Sequence, residues 1–149
     1  MHSRNWSKRL PDPLQALPSR RSTIITNAIA QLRTTDLAAS IRFYTETLGL
    51  ALAFQFRDFY AGIRAGSQMI HLKQVDAPDP TLDFIRAGEH FHLYLETDDI
   101  DTTVAMLKAN GVQLIRDVHA TDWGARECTI EDDQGHTIYI AQASATDAA

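Results

Sequence analysis

Two histidines stand two residues apart in a run that is rich in β-forming residues. His90 and His92 belong to the segment "HFHLYLETDD", residues 90–99. Alternate residues of a strand point to the same face, so both imidazoles would share one face of a sheet. Neutral imidazole binds transition metals, and it also hydrogen-bonds to organic ligands or to polar neighbours. The pair therefore indicates either a metal site or the wall of a binding pocket.

The other residue types that commonly carry covalent chemistry give weaker signals. Cys128 is the only cysteine and lies in an apparent strand, so we expect a buried structural thiol rather than a nucleophile. A single cysteine cannot form an internal disulfide, which predicts a cytoplasmic protein. The chain has no G-x-S-x-G elbow, and "AGSQ" at residues 65–68 lacks the continuation of a phosphate-binding loop. The sequence therefore favours neither a hydrolase nor a P-loop protein.

The composition of the chain limits the classes of partner that it is expected to bind. The chain has 149 residues, of which 44% are hydrophobic and 22% are charged, as in one ordinary globular domain. Its formal net charge of -5 argues against a nucleic-acid partner, because phosphate binding requires clustered Lys and Arg. No run approaches the roughly 18 apolar residues of a membrane helix, so no membrane partner is predicted. Residues 1–26 are predicted to be a tail, which Trp6, Leu10 and Leu14 would anchor.

Two segments of the chain, 31–49 and 94–111, repeat one pattern. The equivalent positions are Leu32 and Leu95, Thr34 and Thr97, Asp36 and Asp99, and Leu37 and Ile100. In each copy a short alternating strand leads to an aspartate that can cap a helix N-terminus. Apolar residues then recur at helical spacing, and a glycine suited to the left-handed end of a helix closes the segment. The chain is therefore predicted to contain an internal repeat.

Three further strand signals follow each predicted helix, so each half has the order βαβββ. We expect one α+β domain at 27–143, made of module 1 (27–75), a linker (76–88) and module 2 (89–143), followed by a C-terminal tail (144–149). A four-stranded sheet with one helix covers only one of its faces. Two such modules are therefore predicted to form a curved mixed sheet around a trough, with the helices on the outer face.

This pattern resembles the vicinal oxygen chelate superfamily, which includes glyoxalase I, bleomycin-resistance proteins, fosfomycin-resistance enzymes and extradiol dioxygenases. The resemblance rests on "DLAASIRFYTETLGL" in the first half and on "LYLETDDIDTTVAMLKANGV" and "WGARECTIEDDQGHTIYIAQ" in the second. The last segment is typical of bleomycin-resistance-like members. The resemblance covers about residues 27–143.

The resemblance implies four metal positions, on the first and last strands of each module in the metal-dependent members. They fall on Ile29, His71, His92 and Tyr139. Isoleucine cannot bind a metal and a phenol is a poor ligand at neutral pH, whereas a catalytic metal normally needs three protein ligands. No cofactor is therefore expected. The alternative is a divalent metal held by His71 and His92, which His90 could join only if both side chains leaned together.

Strand alternation predicts which side chains line the trough. If His92 points inward, so do Tyr94 and Glu96, whereas Phe91 lies behind the sheet. The candidate ligand-binding residues are Gln31, Tyr60, His71, His92, Tyr94, Trp123, Arg126 and Tyr139. Trp123 would either stack on a ligand or plug a dimer contact, and Arg126 would pair with Glu127, Glu131 or a ligand acid. Core or interface packing is expected for Phe54, Phe56 and Phe59.

These expectations favour a metal-independent small-molecule binding protein of the bleomycin-resistance-like type. It would form a homodimer and sequester an organic ligand in the trough. The first alternative is a divalent-metal-dependent glyoxalase- or dioxygenase-like enzyme that uses His71 and His92, with Glu96 as a further ligand. The second is a regulatory or structural module whose trough is empty. The fold alone does not decide among them.

Overall fold

The computed structural model describes residues 24–144, so the predicted anchors Trp6, Leu10 and Leu14 lie outside the described residues. The described chain contains β1 (Ala30–Thr34), α1 (Leu37–Arg42), a π-helical segment (Phe43–Thr47), β2 (Ala51–Phe56), β3 (Tyr60–Ala65), β4 (Gln68–Gln74), α2 (Thr81–Ala87), β5 (Leu93–Glu96), α3 (Ile100–Ala109), β6 (Arg116–Ala120), β7 (Arg126–Glu131) and β8 (Thr137–Gln142). Among these residues no helix is long and apolar enough to cross a membrane.

The strands form two four-stranded sheets with the same topology, β1-β4-β3-β2 and β5-β8-β7-β6. In each sheet the first and last strands of the module are parallel, and the remaining neighbours are antiparallel. Each module therefore has the predicted order βαβββ, and the α+β fold of two tandem modules is confirmed. Because one helix packs against one face of each sheet, alternate residues of the strands are left for the opposite face.

The predicted helix signals act as expected. The Asp36 and Asp99 carboxylates accept hydrogen bonds from the backbone N–H groups of Ala39 and Thr102, at 3.0 and 3.1 Å. Gly49 and Gly111 have φ angles of 73° and 85°, the left-handed conformation that a closing glycine accommodates.

Two features of the helices differ from the sequence expectation. The first helix widens into the π-helical segment after Arg42, where the N–H of Leu48 bonds to the carbonyl oxygen of Phe43 at 3.0 Å. The segment 76–88, predicted only as a linker, contains α2. Hydrophobic spacing cannot distinguish an α-turn from a π-turn, and α2 has no buried residue that would create a periodic signal.

The core is one cluster to which both modules contribute. Its buried members include Leu32, Leu37, Tyr44, Leu48, Ile63, Ile70, Leu72, Leu93, Ile100, Leu107, Cys128, Ile130, Ile138 and Ile140. Cys128 is buried, as expected, and desolvation raises the pKa of its thiol to about 11. A thiol in this state is a packing group rather than a nucleophile.

The two modules are joined through their helical sides. The Tyr44 hydroxyl donates to Asp132 Oδ2 at 2.7 Å, and the Ser40 hydroxyl donates to Asp133 Oδ2 at 2.7 Å. Asp132 Oδ2 is also 2.8 Å from Nδ1 of the buried His136. The turn between β7 and β8 is thus held against the first helix. The opposite faces of the two sheets do not take part in this junction.

Candidate functional site

The face of the first sheet that points away from α1 is the first candidate surface. The strand register places on this first face Gln31, Arg33, Phe54, Phe56, Tyr60, Gly62, Arg64, Met69, His71 and Lys73. The expected core packing of Phe54, Phe56 and Phe59 is wrong, since their exposed fractions are 41%, 58% and 49%, and interface packing stays a prediction. β2 has no buried residue, and its apolar sequence does not reveal this, so the exposure of Phe54 and Phe56 was not predicted.

Three predicted site residues meet at the centre of the first face. Gln31 Nε2 donates to the Tyr60 hydroxyl at 2.8 Å, and that hydroxyl lies 2.9 Å from His71 Nδ1. The phenol oxygen accepts from Gln31, and donation of its own proton to Nδ1 is the favoured assignment, because the reverse assignment leaves that proton without an acceptor. This assignment gives the His71 tautomer that carries hydrogen on Nε2. In that tautomer the first face presents an imidazole N–H donor.

An aromatic ring that the sequence did not single out completes this cluster. The Phe54 ring meets the His71 ring edge-on, with 5.4 Å between centroids. The ring lies over Gly62, where an added Cβ would come within 2.3 Å of Phe54 Cε1. Gly62 therefore provides the space that Phe54 needs beside His71. A glycine paired across strands with both a phenylalanine and a histidine is the signal that could have revealed this arrangement.

The equivalent face of the second sheet has the opposite charge. This second face carries Tyr94, Glu96, Arg116, His119, Glu127, Thr129, Glu131, Thr137, Tyr139 and Ala141. The second face thus has three glutamates and one arginine, whereas the first face has two arginines, one lysine and no acid. The floor of the second face, which includes Thr129, Thr137 and Ala141, is buried. The two faces therefore differ in what they can bind.

The aromatic residues of the second face surround Tyr139. The Phe91 ring lies 5.0 Å from the Tyr139 ring and 5.6 Å from the Tyr94 ring. The prediction that Phe91 lies behind the sheet is therefore wrong, because β5 begins only at Leu93 and the alternation does not extend back to Phe91. The Tyr139 hydroxyl donates to the Glu89 carbonyl oxygen at 2.9 Å. Burial, with Glu127 as a second cause, raises the pKa of both tyrosines.

His92 lies at the end of the second face, beneath the start of α2. Its Nδ1 accepts from the backbone N–H of Thr137 at 3.1 Å, and its Nε2 is 3.1 Å from the Thr81 hydroxyl oxygen. Since Thr81 donates its proton to Asp79, His92 Nε2–H is the donor to Thr81. Burial and the adjacent His136 ring, 4.8 Å away, lower the pKa of His92. Both ring nitrogens are thus engaged within the protein.

Three other candidates are placed apart from these clusters. The His90 imidazole lies against Gly88, not beside His92. Arg126 points to the helical side and forms two 3.0 Å hydrogen bonds with Asp101 of α3, rather than pairing with Glu127 or Glu131. Trp123 lies between β6 and β7 with an exposed fraction of 65%.

The four family metal positions do not fit a metal ion in this arrangement. Ile29 offers no donor, and the Tyr139 hydroxyl and both nitrogens of His92 are hydrogen-bonded within the protein. His71 Nε2 is then the one available donor among the four positions, and a catalytic metal normally needs three protein ligands. Across residues 24–144 no group of three or more His, Cys, Asp or Glu side chains is arranged to hold a metal ion.

A cavity lies away from the two faces, where the edges of the modules meet. It has a volume of about 700 Å³ and is lined mostly by apolar residues of β1, β4, β5 and α3. Met69 of the first face and Tyr94 and Glu96 of the second reach its rim, but Tyr60, His71 and Trp123 do not line it. Gln31, Tyr60 and His71, which converge through hydrogen bonds, lie on the first face and outside this cavity, so the sheet faces are the candidate site considered further.

Comparison with known proteins agrees with the fold. The family model of the glyoxalase/bleomycin resistance protein/dioxygenase superfamily matches residues 26–140. No curated protein matched the sequence.

Similar solved structures come from binding proteins and from an enzyme. The bleomycin-binding protein of Streptomyces verticillus, complexed with copper(II)-bleomycin, is 20% identical with a TM-score of 0.61, over 82% of this chain and 99% of that chain. TnmS3, an antibiotic binding protein from Streptomyces sp. CB03234, is 20% identical with a TM-score of 0.62 over the same shares. Lactoylglutathione lyase from Agrobacterium tumefaciens is 19% identical with a TM-score of 0.62, over 79% and 93%. At these identities the likeness shows the fold alone.

Proposed function

Because the chain belongs to the glyoxalase/bleomycin resistance protein/dioxygenase superfamily, we propose that it is a metal-independent binding protein that sequesters a small organic molecule, as bleomycin-resistance-like members do. The observation that carries the proposal is the Gln31–Tyr60–His71 chain. It turns one imidazole into a fixed hydrogen-bond donor beside the exposed Phe54 ring. An oriented donor next to an aromatic surface suits a flat organic ligand with an acceptor group.

Two of the similar structures are binding proteins, which supports a binding role. One is a bleomycin-binding protein and another is an antibiotic binding protein. The lactoylglutathione lyase has the same fold, so the fold does not distinguish binding from catalysis. The engagement of both His92 nitrogens favours binding, because the enzyme alternative requires His92 as a ligand.

We also propose that the protein acts as a cytoplasmic homodimer. The first face is cationic and aromatic, and the second face carries three glutamates and one arginine. Two copies that set the first face of one against the second face of the other would enclose a trough. Opposite charge would favour that pairing over contacts between like faces.

Ligand titration with and without a chelator tests the proposal. Intrinsic tryptophan fluorescence should be quenched by members of a library of aromatic compounds, and EDTA should leave the affinity unchanged. His71→Ala should weaken binding by roughly tenfold, as expected for one oriented hydrogen bond and its ring contact. Stoichiometric metal in protein purified without chelator, together with loss of binding when it is removed, would contradict metal independence.

A further inference from the structure

One row of the second face carries two carboxylates and one imidazole at its polar positions. Glu96 of β5, Ala141 of β8, Glu127 of β7 and His119 of β6 are neighbours across the four strands. The side chain in the middle is alanine, so the acidic and imidazole groups around it are not separated by a bulky residue. We call these four residues the acceptor row.

Glu127 is the unusual member of the acceptor row. Its exposed fraction is 7%, and its Oε2 atom is buried without a hydrogen-bond partner. A buried carboxylate oxygen without a donor is costly, because desolvation is not offset by any new interaction. Arg126, the adjacent residue, does not provide the donor, since both of its bonding nitrogens bind Asp101 on the helical side. Among the described residues, Glu127 Oε2 therefore has no hydrogen-bond donor.

His119 adds a second acceptor at the same place. Its Nδ1 is 2.9 Å from the Asp117 carbonyl oxygen, and a carbonyl can only accept, so Nδ1 carries the hydrogen. In neutral His119 the lone pair of Nε2 is then directed at Glu127 Oε1, 3.6 Å away. Protonation of His119 would provide a donor to Oε1 but would leave Oε2 as it is. The two side chains converge on a point where a donor is needed.

The residues around Glu127 and His119 indicate the chemical class of the donor that would bind there. The rings of Tyr94, Tyr139 and Phe91 cluster on the same face. The buried Thr137 hydroxyl of this face also has no hydrogen-bond partner. A carboxylate beside aromatic rings is the combination that recognises organic cations, by charge-assisted hydrogen bonds and cation–π contacts.

We propose that Glu127 and His119 form a subsite for the cationic nitrogen group of the ligand, such as an ammonium or amidinium. This inference rests on the proposed small-molecule binding function and specifies its ligand class. The subsite is separate from the donor at His71, which lies on the oppositely charged first face. The ligand would therefore carry a positively charged nitrogen on a flat aromatic framework.

Three probes with one ring test the charge preference: benzamidine, which is a cation, benzyl alcohol and benzoate. Binding is followed by shifts of backbone amides in two-dimensional NMR of the full-length protein. Benzamidine should bind most tightly, with shifts centred on Glu127, His119 and Ala141. Glu127→Gln, which keeps the shape of the side chain, should weaken benzamidine binding by at least about tenfold and leave benzyl alcohol unchanged. Glu127→Asp, which keeps the charge, should retain the preference for benzamidine.

Glu46→Gln is the matched control, because Glu46 is exposed on the π-helical segment. It removes the same charge and should leave all three affinities unchanged. Thermal unfolding without ligand gives an independent readout, in which Glu127→Gln should unfold at a higher temperature than the wild type because an uncompensated buried charge is removed.

Three results would overturn the inference: benzamidine affinities for wild type and Glu127→Gln within twofold of each other, tighter binding of benzoate, or no amide shift on the second face with any probe. If library compounds still quench tryptophan fluorescence in any of these cases, the subsite is wrong while the binding function stands. If no library compound binds either, the proposed function fails as well.

Discussion

At the scale of single residues, hydrogen-bond partners decide what each histidine can do. The sequence identified His71 and His92 as the two good ligands among the four family positions. The structure separates them, because His92 has both nitrogens engaged whereas His71 has one bonded nitrogen and one directed N–H. No spacing rule contains this information, since the partners Tyr60, Thr81 and Thr137 come from other elements.

The tautomer of His71 gives a prediction at this scale. Tyr60→Phe removes the hydroxyl that donates to His71 Nδ1, so the imidazole should no longer be confined to the form with hydrogen on Nε2. Nitrogen-15 NMR of the histidine rings should show one dominant tautomer in the wild type and a mixture of tautomers in the variant. Ligand affinity should fall together with this change.

Tyr139→Phe is the control for the tautomer experiment. It also removes a phenol, but its hydroxyl donates to the Glu89 carbonyl rather than to an imidazole. His71 should therefore keep its tautomer in this variant. An unchanged ring spectrum in Tyr60→Phe would show that Gln31 and Tyr60 do not orient His71.

At the scale of elements, the sequence predicted the helix ends, because these depend on residues that are neighbours in the chain. The capping aspartates Asp36 and Asp99 and the left-handed glycines Gly49 and Gly111 act within one turn of chain, so the sequence was sufficient to place both helices. The helix α2 was missed because it buries no residue and lacks a side-chain cap at Pro80. The exposure of Phe54 was missed because the burial of a strand depends on what packs against it, not on its composition.

The junction between the modules depends on the buried Tyr44 hydroxyl. Burial, then the nearby Asp132, raises the pKa of Tyr44 well above its usual value, so the phenol remains a hydrogen-bond donor. Tyr44→Phe should lower the free energy of unfolding by about 1–2 kcal/mol, because Asp132 Oδ2 loses one of its donors in a buried site. Urea denaturation followed by circular dichroism measures this change.

The Tyr44→Phe change should not alter ligand affinity, since Tyr44 lies on the helical side of its module. Tyr60→Phe serves as the comparison, because it should weaken binding while changing stability less than Tyr44→Phe does. Equal stability of Tyr44→Phe and wild type would mean that the Tyr44–Asp132 contact does not hold the modules together.

At the scale of the whole molecule, the repeat was the most informative feature of the sequence. Matching 31–49 with 94–111 predicted the order βαβββ of both modules. It did not predict the strand order within each sheet, in which the first and last strands of a module are parallel neighbours. The charge of the second face was harder to foresee. It depends in part on the register of β6 and β7, which shifts between Arg116 and His119, and an irregular register cannot be counted from the sequence.

The proposed dimer gives a prediction at this scale, because it pairs a cationic face with an acidic one. Its dissociation constant should rise as sodium chloride is increased, since salt screens attraction between exposed charges. Lys73→Glu places an acid on the first face and should weaken the dimer, whereas Glu96→Lys should do the same from the second face. Mixing the two variants should restore association. In the mixed dimer one interface joins two unchanged faces, and the other joins the two substituted faces, whose charges are again opposite. Sedimentation velocity across a concentration series measures all three outcomes. A monomer at every concentration in low salt, or a dimer that salt strengthens, would contradict the pairing of these faces.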